Sequence, residues 1–324
     1  MWFMILLVHL KIHVKIVLFK THNIQSLINF VASDYIKFAM KNYLSLVKFS
    51  HTIFALPFAL IGFFIAIGVH GYDFKWTTFI YVILCMVFAR SAAMAFNRYV
   101  DRKIDKANER TANVREIPNG TIKPTSALVF VIINCVLFIA TTYFINPLCF
   151  YLSPIALLVV LGYSYTKRFT ALCHLVLGVG LGLAPIGAYL AVTGVFDWLP
   201  LYFSFAVLFW VSGFDIIYSL QDESFDKQQQ LHSIPVWMGR KNALHFSSCL
   251  HFVAAFFVIW AGIQSDFNWL FWIGAAVFIG LLIYQHLIVS PTNLSKVNLA
   301  FFTTNGIASV VFAVFVIGDI FLKW

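Results

Sequence analysis

Apolar residues run along this chain in blocks longer than the core of a soluble domain needs, with short polar stretches between them. A helix requires about 20 largely apolar residues to cross a bilayer. By that measure nine spans are predicted, at roughly 52–70, 79–97, 127–145, 148–163, 171–193, 199–220, 243–263, 267–289 and 297–322. Most connections are short. Two are long and polar, one from Arg98 to Ser126 and the other from Gln221 to Asn242. The pattern predicts an all-α polytopic membrane protein.

Residues 1–39 fit this plan poorly. The opening MWFMILLVHLKIHVKIVLFK is apolar, but Lys11, Lys15 and Lys20 interrupt it and no small-residue cleavage site follows. It reads either as an interfacial helix or as sequence upstream of a start at Met40, which opens a basic flank leading into the first span. The expected organisation is therefore an extension over 1–39 and a membrane domain over 40–324.

Composition narrows the class. Of 324 residues, 61% are hydrophobic, 18% aromatic and only 11% charged, against about 25% charged in soluble domains. Disorder, a coiled coil, a disulfide scaffold and a water-soluble globule are excluded. A net charge of +9 could suggest nucleic acid, but membrane proteins gather Lys and Arg in cytoplasmic loops, so no nucleic-acid partner is expected. With the segment before the first span in the cytoplasm, cytoplasmic loops after residue 40 hold fifteen Lys and Arg, against Lys75 and Lys323 opposite. Both long polar loops then face the cytoplasm, as expected for a bacterial-type plasma membrane protein. The five cysteines (Cys85, Cys135, Cys149, Cys173, Cys249) are scattered singly, without metal or disulfide spacing.

The thirteen acidic residues are placed less evenly. Eight fall in two short segments, from Asp101 to Glu116 and from Asp215 to Asp226, each continuing the cytoplasmic end of a span. Asn97, Asp101 and Asp105 are four apart, so a helix would align them; Asp215, Tyr218, Asp222 and Asp226 form a second stripe. Carboxylates stacked this way repel. Solvated helix ends paired with Arg98 and Lys103 would relieve the repulsion, and so would Mg²⁺, which takes one or two carboxylates and completes its shell with water and substrate phosphates. Two clusters of matching spacing at one membrane face favour the metal.

Cations lie nearby. Arg90 sits within the second span, where an arginine is costly and suggests function; its fork suits a carboxylate or phosphate. Tyr163, Tyr165, Lys167 and Arg168 could hold a diphosphate, although the two cations also satisfy the positive-inside rule, and Lys48 has the same two readings. Metal, cations and apolar walls together specify a diphosphate head on a long hydrocarbon tail.

Asn97-Arg98-x-x-Asp101-x-x-x-Asp105, followed by Glu109-Arg110-Thr111-Ala112-Asn113, resembles the first aspartate-rich motif of the UbiA prenyltransferase family. Asp215-x-x-Tyr218-x-x-x-Asp222-x-x-x-Asp226, with His232-Ser233-Ile234-Pro235 downstream, resembles the second. The likeness spans about residue 41 to 324 and implies a nine-helix bundle around a central cavity. It implies that Asn97, Asp101, Asp105, Asp222 and Asp226 bind diphosphate through Mg²⁺, and that Lys167, Lys48 and Arg110 grip it. It further implies that Arg90 holds an aromatic acceptor's carboxylate, and that Asp215 orients the ring or takes its proton. Two departures stand out: Arg98 where many members have Asp, and Val114 before Arg115, which leaves Arg115 without a role.

The implied activity is transfer of a polyprenyl group from polyprenyl diphosphate to an aromatic acid: 4-hydroxybenzoate in quinone biosynthesis, or a naphthoate for menaquinone. A secondary transporter is the rival from another class. Transporters place such charges near the bilayer midplane, whereas these lie at one face.

Overall fold

The computed structural model describes residues 41–48 and 54–322. The chain divides into two units between Ser45 and Leu46. Residues 41–45, all that is described of the first, are helical; the extension predicted over 1–39, and Lys323, lie outside the described residues.

The second unit is helical, with no strand among its described residues. Its helices are α1 (Leu56–Gly68), α2 (Trp76–Val100), α3 (Arg102–Ala107), α4 (Glu109–Ala112), α5 (Pro124–Ile145), α6 (Pro147–Thr166) and α7 (Cys173–Thr193), then α8 (Trp198–Ser219), α9 (Glu223–Gln228), α10 (Ile234–Gln264), α11 (Trp269–Ile288) and α12 (Asn305–Phe321). A 3₁₀ turn, Leu220–Asp222, joins α8 to α9, and a π-helical turn, Leu299–Thr304, leads into α12.

Among the described residues, eight segments are long and apolar enough to cross a bilayer: α2, α5, α6, α7, α8 with its continuation, α10, α11, and α12 with its π turn. At the first predicted span stands the shorter α1, whose 13 residues reach about 20 Å of a roughly 30 Å core. Residues 49–53, just before it, lie outside the described residues.

Local chemistry sets the helix starts. Pro57, Pro124, Pro147 and Pro235 occupy first turns, where a missing N–H is not needed. Asn146 and Asp197 cap α6 and α8 by accepting from the Cys149 and Leu199 amides, each at 2.8 Å. Both long polar loops contain short helices, and their polar residues bond to one another in the site described below.

Packing sorts the faces. Helix α8 lies against α7 and α10 and buries Phe203, Val207, Trp210 and Val211 completely. The Trp210 indole donates to Asn305 Oδ1 at 2.8 Å within a cluster of Phe58, Phe278 and Phe312. Outward, Leu158, Phe252 and Leu287 are 74%, 76% and 77% exposed, an apolar exterior that only lipid can cover. Trp76, Trp198 and Trp269 open α2, α8 and α11, all exposed, at the end away from the long polar loops, as in an interfacial aromatic belt. The protein is an integral membrane protein.

Helices α1 and α7 cross at close range. A Cβ on Gly62 would overlap the carbonyl of Pro185, which is backbone and cannot swing away. Gly62→Val should therefore lower stability by about 1–3 kcal/mol and reduce the melting temperature in detergent. Gly162→Ala, where a Cβ meets open space, serves as control; equal melting of the two variants would contradict this packing.

Candidate active site

Both aspartate segments fold over one end of the bundle. Helix α2 ends at Val100, and Asp101 (φ −85, ψ 2) is the joint before α3. The break is shallow: the Asp101 amide still donates to the Asn97 carbonyl at 2.9 Å, and the Asp105 amide to the Asp101 carbonyl at 2.8 Å. Asn97, Asp101 and Asp105 therefore stay on one side. Asp215 and Tyr218 lie on the last turns of α8, Asp222 on the 3₁₀ turn and Asp226 on α9.

These residues line a cavity of about 290 Å³. Five carboxylates face it (Asp101, Asp105, Asp215, Asp222, Asp226), matched by five cations (Arg90, Arg98, Arg110, Arg115, Lys167). The pairs are specific. Asp101, 1% exposed, accepts from Lys167 Nζ on Oδ2 at 2.6 Å and from Arg168 Nη2 on Oδ1 at 2.8 Å, and Asn97 Nδ2 donates to the same Oδ2 at 3.3 Å. Asp105, 3% exposed, pairs with Arg115. Arg110 grips Asp222 through Nε at 3.0 Å and Nη2 at 2.5 Å, and reaches the Tyr218 hydroxyl at 3.1 Å. Partial burial disfavours the Arg110 charge, but Asp222 and then Tyr218 more than offset it and hold its pKa above the ordinary value. Asn108 adds a bond to Asp222 at 3.2 Å, so Arg110 and Asn108 stitch the first loop to the second. Asp215 is held by His174, 2.7 Å away.

A second, apolar cavity of about 370 Å³ lies among α2, α5, α6 and α7. Arg90, Met94, Tyr163, Leu177 and Leu181 line both cavities, so the two adjoin. The buried Arg90 Nε has no hydrogen-bond partner at this junction. Such an arrangement suits a molecule with a polar head, a long apolar tail and an anionic group close to where they meet.

Not every candidate from the sequence reaches the cavity. Tyr165 is 47% exposed and faces outward, against Phe96 and beneath Arg168. Arg168 acts on Asp101 from behind the wall, and Lys48 is not among the lining residues. The carboxylates' partners are not Arg98 and Lys103: Arg98 is buried within the cavity wall, and Arg115 takes up Asp105. Tyr163, Asn108, His174 and Phe301 also line the site. Phe301, brought in by the π turn, lies 4.1 Å from the Tyr218 ring. Of these, Tyr163 was already a candidate from the sequence, and His174 carried the signal of a titratable residue inside an apolar span.

Could this site take Mg²⁺? Its donors are hard oxygens on both motifs, and Asp105 Oδ2 is buried without a partner. Among the described residues, no three His, Cys, Asp or Glu converge into a ready ligand set. The carboxylates therefore fit an ion that takes one or two of them and fills its shell from water and phosphate.

Residues 55–307 match a sequence model described as the UbiA prenyltransferase family. A 4-hydroxybenzoate octaprenyltransferase of Saccharophagus degradans is 28% identical over 237 residues, covering 73% of this chain and 79% of its own. One from Burkholderia ambifaria is 26% identical over 239 residues, covering 74% and 82%. Among solved structures, the apo form of a UbiA homolog from Aeropyrum pernix superposes with a TM-score of 0.72 at 28% identity, covering 84% of this chain and 98% of that one. A UbiA homolog from Archaeoglobus fulgidus bound to DMAPP and Mg²⁺ shares the fold, with a TM-score of 0.65 at 20% identity over 87% and 99%.

Removing one member of a buried ion pair strands the other charge, at a cost of about 3–5 kcal/mol. Arg115→Ala should destabilise the protein by this order, read as a lower melting temperature. Asp105→Asn in the same chain should recover much of the loss, and an additive double variant would show that the pair is not coupled.

Proposed function

The chain belongs to the UbiA prenyltransferase family and is a membrane prenyltransferase, and from that premise we propose that it joins a polyprenyl group to 4-hydroxybenzoate, with Mg²⁺ as cofactor. The observation that carries this reading is the meeting of a charged cavity and an apolar one at Arg90. The relatives named for 4-hydroxybenzoate support the acceptor.

On this reading the prenyl tail occupies the apolar cavity and its diphosphate the charged one. Lys167 and Arg110, now on Asp101 and Asp222, turn to the diphosphate oxygens, Arg110 with two parallel donors. Asn97, Asp101, Asp105, Asp222 and Asp226 would hold Mg²⁺. When bound, the ion neutralises the leaving diphosphate and so eases cleavage of the allylic C–O bond. The Tyr218 and Phe301 rings present electron-rich faces to the positive charge that develops on the prenyl carbon. Arg90 binds the acceptor carboxylate and so aims the ring carbon beside the hydroxyl at that carbon. Asp215 takes the displaced ring proton. Apolar walls exclude water, which would otherwise capture the carbocation. By the positive-inside rule, this end of the bundle faces the cytoplasm of a plasma membrane.

Membranes containing the full chain, given radiolabelled polyprenyl diphosphate and a panel of aromatic acids, should label 4-hydroxybenzoate. Product from a naphthoate alone would transfer the reading to menaquinone synthesis. Chelation with EDTA should stop turnover and Mg²⁺ restore it. Asp101→Asn or Asp222→Asn should each abolish product, and near-normal Mg²⁺-dependent turnover from either would sink the metal assignment. Arg90→Ala, losing a charge-assisted bond of about 1.5–3 kcal/mol, should raise the acceptor KM roughly tenfold or more and leave the prenyl KM nearly unchanged; equal effects would reject its role.

A further inference from the structure

His174 belongs to neither aspartate motif. It is the second residue of α7, 3% exposed, and it faces the charged cavity across from the first motif. Its Nδ1 lies 2.7 Å from Asp215 Oδ2. Its Nε2 accepts the Ile234 amide N–H at 3.4 Å. A ring nitrogen that accepts carries no proton, so the proton sits on Nδ1 and is donated to Asp215. The imidazole is thereby fixed between a backbone amide on one side and a carboxylate on the other.

The backbone around the pair is held as well. Ser212 Oγ donates to the His174 carbonyl at 3.2 Å. Gly178, one turn further along α7, lets α7 approach α8: a Cβ there would strike the Leu208 carbonyl and Ser212 Oγ. Ile234 opens α10, whose Ser233 cap anchors the end of the second polar loop. The histidine thus joins three elements at Asp215, which no Lys or Arg side chain bonds among the described residues. Asp215 Oδ2 is engaged, while no hydrogen bond from a described residue reaches its Oδ1.

We propose that His174 is the positioning residue for Asp215, donating from Nδ1 to Oδ2 so that the carboxylate is held in one orientation and turns Oδ1 toward the aromatic acceptor. This rests on the function proposed above. The step it serves is balanced: the allylic C–O bond breaks and diphosphate leaves with the electron pair, and the ring carbon forms the new C–C bond. The proton on that carbon passes to Asp215 Oδ1, then to water, and its electron pair restores the aromatic ring. Without the Nδ1 donor, Asp215 is free to rotate out of reach of the ring proton, so ring deprotonation slows.

The test uses the full chain in membranes, with polyprenyl diphosphate, Mg²⁺ and 4-hydroxybenzoate carrying hydrogen or deuterium at the two positions beside the hydroxyl. The unaltered chain should show no isotope effect, because ionisation limits its rate. A positioned base is worth about 10²–10⁴-fold, so His174→Leu should lower kcat at least about tenfold, leave the prenyl diphosphate KM unchanged and expose an isotope effect. His174→Gln, with one amide end to donate to Asp215 and another to accept from Ile234, should restore most of the rate and remove the isotope effect. A Leu variant of normal rate, a slow Leu variant without an isotope effect, or a folded Gln variant that fails to rescue would each overturn the proposal. If the unaltered chain prenylates no phenolic acid, the functional reading falls instead. In that case ¹⁵N-histidine NMR of the chain in lipid, with His174→Gln identifying the signal, still decides the pair. Protonated Nδ1 and bare Nε2 support it, and the opposite tautomer overturns it.

Discussion

Carboxylates gathered at the end of a lipid-embedded bundle require counter-charges, and the site is organised by that requirement. Five face one cavity, and the price of bringing them together is met by five cations drawn from α2, α6 and the first polar loop. The interactions are graded by depth. Asp101 and Asp105, almost wholly buried, have close pairs with Lys167, Arg168 and Arg115, while the more open Asp222 has the more open Arg110. Desolvation grows with burial, so the innermost carboxylates most need a fixed partner.

The same pairing gives the polar loops their shape. Arg110 and Asn108 reach from the first loop to Asp222, and the Lys167 carbonyl accepts from the His232 amide at 2.7 Å. Each loop is thus a partner for another element, and its short helices are held in place by those bonds. Below them the bundle needs no charge. Its helices are held by close backbone contact, as at Gly62 and Gly178, and by buried polar links such as Trp210 to Asn305.

The architecture was legible in hydropathy because lipid imposes one rule, about 20 apolar residues per crossing, on every span. Among the described residues eight segments obey it, and the shorter apolar α1, largely buried in protein, stands at the first of the nine predicted spans. The aspartate stripes were legible because a helical period of four residues survives the shallow break at Asp101. Their partners were not. Arg115 and Asp105 are ten residues apart and Arg110 and Asp222 are 112 apart, and only the fold brings them together. Tyr165 illustrates the reverse error: it stands two residues from Tyr163 and Lys167, yet helical rotation turns it away from the cavity they line.

Charge balance also bears on the order of events. With five carboxylates matched by five cations, the cavity holds no net side-chain charge for a diphosphate. A diphosphate that drew Lys167 and Arg110 to itself would leave Asp101 and Asp222 short of counter-charge, while divalent ions alone would displace those cations with no phosphate to receive them. On the proposed function, arrival together would satisfy both sides: the aspartates would hold the metal, and the freed Lys167 and Arg110 would turn to the phosphate. On the proposed function, a site so balanced favours diphosphate and Mg²⁺ as one unit. It also makes the first motif the more stubborn half, because Asp101 must release two cations where Asp222 releases one.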